Sequence, residues 1–136
     1  MNIVIHHNPK CGTSRNVVEM VRQAGFEPTI IEYLKTGWTK PQLQGLFAAA
    51  GMKPSEALRV KGTEAEARGL TAEDIDAETL LEAMVEDPIL VNRPFVCTVR
   101  GVRLCRPSEA VLDLLPPGAI DQFTKEDGEE VRPREG

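Results

Sequence analysis

Three features of this 136-residue chain predict an α/β fold. A strand–helix–strand pattern opens it, a strand–strand–helix pattern closes it, and helical patterns without strands lie between them. The length suits one domain. The 41% hydrophobic content supplies a core, and 27% charged residues is ordinary for a water-facing surface. That composition excludes disorder as the main state. No apolar run approaches the roughly 18 residues that a membrane span needs. The start, Met1 to Lys10, lacks the charged leader and apolar length of a signal peptide. The expectation is a cytoplasmic protein with no membrane partner. Three cysteines are an odd number, so a disulfide scaffold is a poor reading.

Each element follows from its residues. Asn2 to His6 is a short β-branched run and reads as a strand. His7 to Lys10 is a loop, because Asn8 and Pro9 are turn residues. Thr13 or Ser14 is positioned to cap the helix carrying Val17, Val18, Val21 and Ala24, with Gly25 as its stop. Thr29 to Tyr33 is the second strand, parallel to the first. Thr39 and Pro41 start a helix with Leu43, Leu46, Phe47 and Ala50 on one face, closed by Gly51. Pro54 to Arg59 suggests a further short helix, and Lys61 to Gly69 is polar and weakly specified. Asp76 caps a helix to Glu86, its apolar residues being Leu80, Leu81, Ala83 and Met84, and Pro88 ends it.

Phe95 to Val99 and Val102 to Cys105 form a hairpin signal around Arg100-Gly101. A two-residue turn there places Val96 opposite Cys105 and Cys97 opposite Leu104. Ser108 caps a last helix with Val111, Leu112 and Leu115 apolar, stopped by Pro116-Pro117. From Gln122 the chain is mostly charged and is expected to be loose or laid on the surface. A βαβ unit followed by a ββα unit in one mixed sheet is the thioredoxin arrangement. The expected organisation is one such domain over 1–120, a helical insertion at about 40–87, and a charged tail at 121–136.

The net charge of −5 hides a pattern. Glu64 to Asp87 holds nine acids and one base, whereas Pro88 to Ser108 holds four arginines and no acid. An acidic protein is a poor nucleic-acid binder, so no nucleic-acid partner is expected. Local arginines beside a cysteine suit a small anion instead. Cys11 stands between the first strand and the first helix. There a thiolate faces unpaired N–H groups and the positive end of the helix dipole. Lys10 and Arg15 are expected to add to that field, and His7 to help as a cation or hydrogen-bond donor. The same donors form an anion cradle. Cys97 reads as a core residue of its strand, and Cys105 ends the next strand beside Arg106.

Four stretches then resemble one family in collinear order: His7-Asn8-Pro9-Lys10-Cys11-Gly12-Thr13-Ser14-Arg15-Asn16, Pro88 to Pro94, Arg103 to Glu109, and Phe123 to Glu129. Together they resemble the glutaredoxin-coupled arsenate reductases. The resemblance runs from about Asn2 to Val131. It implies a thioredoxin-like fold with a helical insertion and reduction of arsenate to arsenite. It also implies glutathione as co-substrate, glutaredoxin as protein partner and no tightly bound cofactor or metal. Cys11 matches the nucleophile. Arg59, Arg93 and Arg106 match the oxyanion-binding arginines. His7, Gly12, Thr13, Ser14 and Pro94 match supporting positions, with Pro94 expected in cis. Cys11-Gly12-Thr13-Ser14 also resembles a monothiol glutaredoxin site, and the topology is shared with thioredoxin-fold regulators that bind RNA polymerase. Those are the alternatives. A monomer is expected, since no long apolar surface stripe is evident.

Overall fold

The computed structural model describes residues 1–132. Their contacts divide the chain into two units: Met1–Glu32 with the chain from Arg93 onward, and Tyr33–Asn92. The first unit carries a four-stranded mixed sheet. Strand β1 (Val4–His7) pairs in parallel with β2 (Thr29–Glu32) and antiparallel with β3 (Phe95–Thr98), and β3 pairs antiparallel with β4 (Gly101–Leu104). The order is β2-β1-β3-β4. Helix α1 (Gly12–Gln23) is the crossover that a parallel β1–β2 pair requires. Its Val17, Val18, Met20 and Val21 join Ile3, Ile5 and Val96 in one buried cluster. This is the predicted thioredoxin-like arrangement.

Two local readings change in this unit, and a third is narrowed. The hairpin turn is Val99-Arg100 rather than Arg100-Gly101. The Thr98 hydroxyl accepts the Arg100 N–H at 3.0 Å and donates to the Leu114 carbonyl at 2.9 Å, which tightens the turn one residue earlier. Gly101, at φ 140°, then opens β4. Val96 therefore faces Arg103, and Cys97 faces Val102. The shift is even, so inward and outward faces are preserved. Secondly, the last helix is a 3₁₀ helix, Ser108–Leu114, capped at Pro107 with no side-chain cap bond, so Ser108 does not cap it. Thirdly, over its described residues the charged segment from Gln122 is the second of its two expected states, an ordered piece laid on the surface rather than a loose one. β5 (Phe123–Thr124) and β6 (Glu130–Val131) form a second small sheet, and Phe123 and Val131 enter the core cluster. Two apolar residues among the charges are enough to seat it. The last four residues of the expected tail, 133–136, lie outside the described residues.

The second unit is helical. α2 (Tyr33–Thr36) is one turn, so the predicted strand to Tyr33 stops at Glu32. α3 (Lys40–Ala50) begins with a capping box between Thr39 and Gln42 and ends at Gly51, which is left-handed at φ 67°. α4 (Ala77–Glu86) is capped by the Asp76 carboxylate, which accepts the Thr79 N–H at 2.7 Å. A 3₁₀ turn at Pro88–Leu90 follows it. Pro54 to Arg59 is not a helix. Its turn closes at Ala57; Leu58 then bridges Val91, and the Arg59 N–H donates to the Leu90 carbonyl at 2.7 Å. Those extended pairings remove the backbone groups that a helix would need.

Candidate active site

The loop after β1 is fixed by its own backbone. Asn8 is buried. Its side-chain oxygen accepts the Lys10 N–H at 3.0 Å, and its carbonyl accepts the Cys11 N–H at 3.0 Å. This Asx-type turn delivers Cys11 to the N-cap of α1, extended at φ −98° and ψ 120°. Cys11 thus takes the cap position expected of Thr13 or Ser14. Ser14 instead lies inside the first turn, fully buried, with its hydroxyl oxygen accepting the Asn8 N–H at 3.4 Å.

Cys11 is only 8% exposed. Burial by itself pushes a thiol up, and here it is outweighed. The Ser14 N–H, the Arg93 guanidinium, the Ser14 hydroxyl and the Arg106 guanidinium all favour the thiolate, lowering the Cys11 pKa from 9.0 to about 6. Roughly nine-tenths of the sulfur is then ionised at pH 7. Arg106 Nη1 lies 3.6 Å from Cys11 Sγ and also donates to the Arg93 carbonyl at 3.0 Å. Arg93 and Arg106 each precede a cis proline, Pro94 and Pro107. The first of these bonds was expected; the second was not.

Other expected contributors stand elsewhere. The Arg15 guanidinium is turned to Glu126, at 2.8 and 2.9 Å, and to the Pro9 carbonyl at 2.8 Å. Lys10 is exposed. The guanidiniums that hydrogen-bond to the sulfur are therefore Arg93 and Arg106, while Arg15 adds a Coulombic attraction to it from its place beside Glu126. His7 is no cation at neutral pH, because burial lowers its pKa. Its Nδ1 is buried with no hydrogen-bond partner among the described residues. Gly12 and Thr13 are half-buried in the first helical turn. A Cβ on Gly12 would meet only ordinary contacts, 3.7 Å from Arg15 and 3.8 Å from Glu126, so glycine is not sterically required there. Arg59 belongs to the helical unit, while Cys11, Arg93 and Arg106 belong to the sheet unit. Arg59 Nε donates to the Lys61 carbonyl at 3.1 Å.

Asn8 shapes the loop as a turn residue should, but one contributor went unread as a partner of the site. Glu126 ties the β5–β6 segment to the start of α1 through Arg15, and its N–H donates to the Asn16 side chain at 3.1 Å. A pairing 111 residues apart leaves no local trace. Among the described residues no cluster of three His, Cys, Asp or Glu has a metal-holding arrangement, and no helix is long and apolar enough to cross a membrane.

What this arrangement supplies is a buried thiolate at a helix N-terminus with two arginines on it. The ArsC family model matches residues 6–114. Arsenate reductase ArsI2 of Synechocystis sp. is 59% identical over 127 residues, covering 93% of this chain and 91% of its own length. The arsenate reductase of Rhizobium meliloti is 52% identical over 131 residues, covering 96% and 94%. Among solved structures, arsenate reductase from Vibrio cholerae superimposes with a TM-score of 0.80 at 33% identity, covering 85% of this chain and 98% of that one.

Proposed function

The chain belongs to the ArsC family, and on that premise we propose that it reduces arsenate to arsenite, with Cys11 as the nucleophile and glutathione and glutaredoxin as the reductants. The observation that carries this reading is the Cys11 thiol, held at about 6 with the Arg93 and Arg106 guanidiniums against it. Arsenate near neutral pH is a mono- to dianion of tetrahedral shape. Guanidiniums bind such oxygens bidentately without losing their own charge. Arg93 and Arg106 bind the oxyanion; Arg59 is added by the resemblance rather than by geometry. Ser14 and Pro94 support the site beside Gly12 and Thr13. His7, neutral, serves as a polar wall of the loop.

The Cys11 thiolate attacks arsenic; an S–As bond forms and one arsenate oxygen leaves as water or hydroxide. The arginines stabilise the charge of that adduct. Glutathione then adds through its thiol, a second oxygen leaves as water, and arsenic, still at +5, bridges two sulfurs. A glutaredoxin thiolate attacks the glutathione sulfur. An S–S bond forms, the glutathione S–As bond breaks, and its electron pair stays on arsenic, which becomes +3. Water releases arsenite and restores the Cys11 thiolate. One protein thiol suffices, in keeping with a serine at position 14 where a dithiol enzyme carries a resolving cysteine. The family match over 6–114 does not favour the regulator or glutaredoxin-like alternatives. The same reading places the protein in the cytoplasm as a monomer with no resident cofactor.

The test is arsenate-dependent NADPH oxidation in the presence of glutathione, glutaredoxin and glutathione reductase. Wild type is expected to turn over and Cys11→Ser to be inactive. Full activity in Cys11→Ser refutes the mechanism.

A further inference from the structure

Arg106 faces two ways. Besides approaching the Cys11 sulfur it lines a cavity of about 530 Å³ in the sheet unit, formed by the end of β4, the 3₁₀ helix after it and the segment that follows. The volume is that of a small-ligand site. Four arginines line it, Arg100, Arg103, Arg106 and Arg132, against two acids, Glu109 and Asp113. Both acids are already matched. Glu109 meets Lys125 at 2.7 Å, and Asp113 pairs with Arg103. Among the described residues Arg132 has only Glu130, at 3.9 Å. Arg100 donates from Nε to the Asp113 carbonyl at 3.4 Å and takes no carboxylate among the described residues. The cavity therefore has surplus positive charge, and apolar residues and one glycine line the rest of it.

We infer that this cavity receives glutathione, its two carboxylates toward Arg100 and Arg132 and its thiol toward Arg106 and the sulfur beyond. The inference rests on the proposed arsenate chemistry, which needs a small anionic thiol brought to arsenic on Cys11. Glutathione carries a carboxylate at each end, one of them beside the γ-glutamyl ammonium, and is a net monoanion with an uncharged middle, which matches a cavity of surplus positive charge whose remaining wall is apolar. Arg106 is the residue common to both places, and the thiol is assigned to its end of the cavity. Binding forms no covalent bond; the thiol then adds to arsenic with loss of water.

The test varies glutathione at saturating arsenate and glutaredoxin in wild type, Arg100→Glu and Arg22→Glu. Arg22 is an exposed residue of α1 paired with Glu19 and Glu27, and its variant controls for the change in net charge. Arg100→Glu is expected to raise the KM for glutathione about tenfold, the scale of one charge-assisted contact, with the KM for arsenate held. Arg22→Glu is expected to leave the glutathione KM in place. An unchanged glutathione KM in Arg100→Glu, or equal rises in both variants, overturns the inference. A rise confined to the KM for glutaredoxin also overturns it and assigns the surface to the protein partner. Titration of the reduced enzyme with S-methylglutathione, followed by amide NMR, is independent of turnover. Shifts at Ala110 and Gly118 that vanish in Arg100→Glu support the site, and shifts confined to other regions refute it. A wild type that reduces no arsenate but binds S-methylglutathione at these residues refutes the arsenate reading and keeps the cavity assignment.

Discussion

Arg106→Ala removes the guanidinium whose Nη1 lies 3.6 Å from Cys11 Sγ. The thiol is lowered from 9.0 to about 6. At 1.36 kcal/mol per pH unit, that is roughly 4 kcal/mol of preference for the charged form. Four donations oppose burial to produce it, and Arg106 contributes the smallest of them. A hydrogen bond to a charged group contributes about 1.5–3 kcal/mol. Losing the weakest should raise the inflection by about one pH unit, to near pH 7. At pH 5.5 the ionised fraction then falls from about a quarter to about 3%. Thiolate absorbance at 240 nm follows that fraction directly. The other two cysteines stay silent below pH 8, because burial pushes Cys105 up to about 12 and raises Cys97. Reaction with a small disulfide reagent gives a second signature. A thiolate of higher pKa is intrinsically more nucleophilic, by about threefold per unit. The variant should therefore react more slowly than wild type at pH 5.5 and faster at pH 8.5, so that the two profiles cross. An inflection that stays at about 6, with profiles that never cross, would remove Arg106 from the support of the sulfur.

Arg93→Lys keeps the charge but loses the planar fork, so arsenate turnover should fall by about tenfold or more, whereas Arg22→Lys should stay within about twofold; equal activities would take Arg93 out of the site. The Cys11 pKa is depressed in the folded chain, so its ionisation stabilises the fold. That stabilisation is fully present above about pH 9, declines as the pH falls, and is lost below about pH 6. Urea unfolding of the reduced protein should accordingly show wild type gaining about 2–4 kcal/mol on Cys11→Ala between pH 6 and pH 9, and a constant gap across that window would contradict the assignment. Thr39→Ala breaks a reciprocal cap, in which Thr39 Oγ1 accepts the Gln42 N–H at 3.2 Å and Gln42 Oε1 accepts the Thr39 N–H at 3.3 Å. It should cost about 1 kcal/mol in a denaturant melt, and an unchanged midpoint would mean that α3 draws its stability from packing alone.

Local chemistry was legible and long-range chemistry was not. Thr39, Pro41 and Gly51 bracket α3 because caps act over three or four residues, and the helix begins and ends where they specify. The position of Cys11 at a strand–helix junction was legible for the same reason. The identity of the cations was not. Sequence proximity pointed to Lys10 and Arg15, but the fold pairs Arg15 with Glu126, leaving it a Coulombic attraction to Cys11, and brings Arg93 and Arg106 into hydrogen bonds with the sulfur. Arg106 is 95 residues away, and only the pairing of β3 beside β1 carries its half of the sheet to the loop. The hairpin register failed on a side chain: nothing in the β pattern announces that Thr98 will hold the turn. For the charged C-terminal segment, averaging left two states open, loose or laid on the surface, and Phe123 and Val131 decide for the second by seating the hairpin despite the charges around them. The resemblance supplied Arg93, Arg106 and the cis bond before Pro94, which periodicity and composition do not reach.

The 95-residue separation of Cys11 from Arg106 also sets a schedule for synthesis. A ribosome adding about 5–20 residues per second needs about 5–20 s to go from one to the other. Through that interval the cysteine has left the peptidyl centre, but Arg93 is made only near its end and Arg106 only at its close. Its thiol stays close to the 9.0 of an unstructured residue, protonated and slow toward oxidants. The reactive sulfur is thus among the first parts of the chain to be made and among the last to become reactive. Its activation waits for the strands that close the sheet.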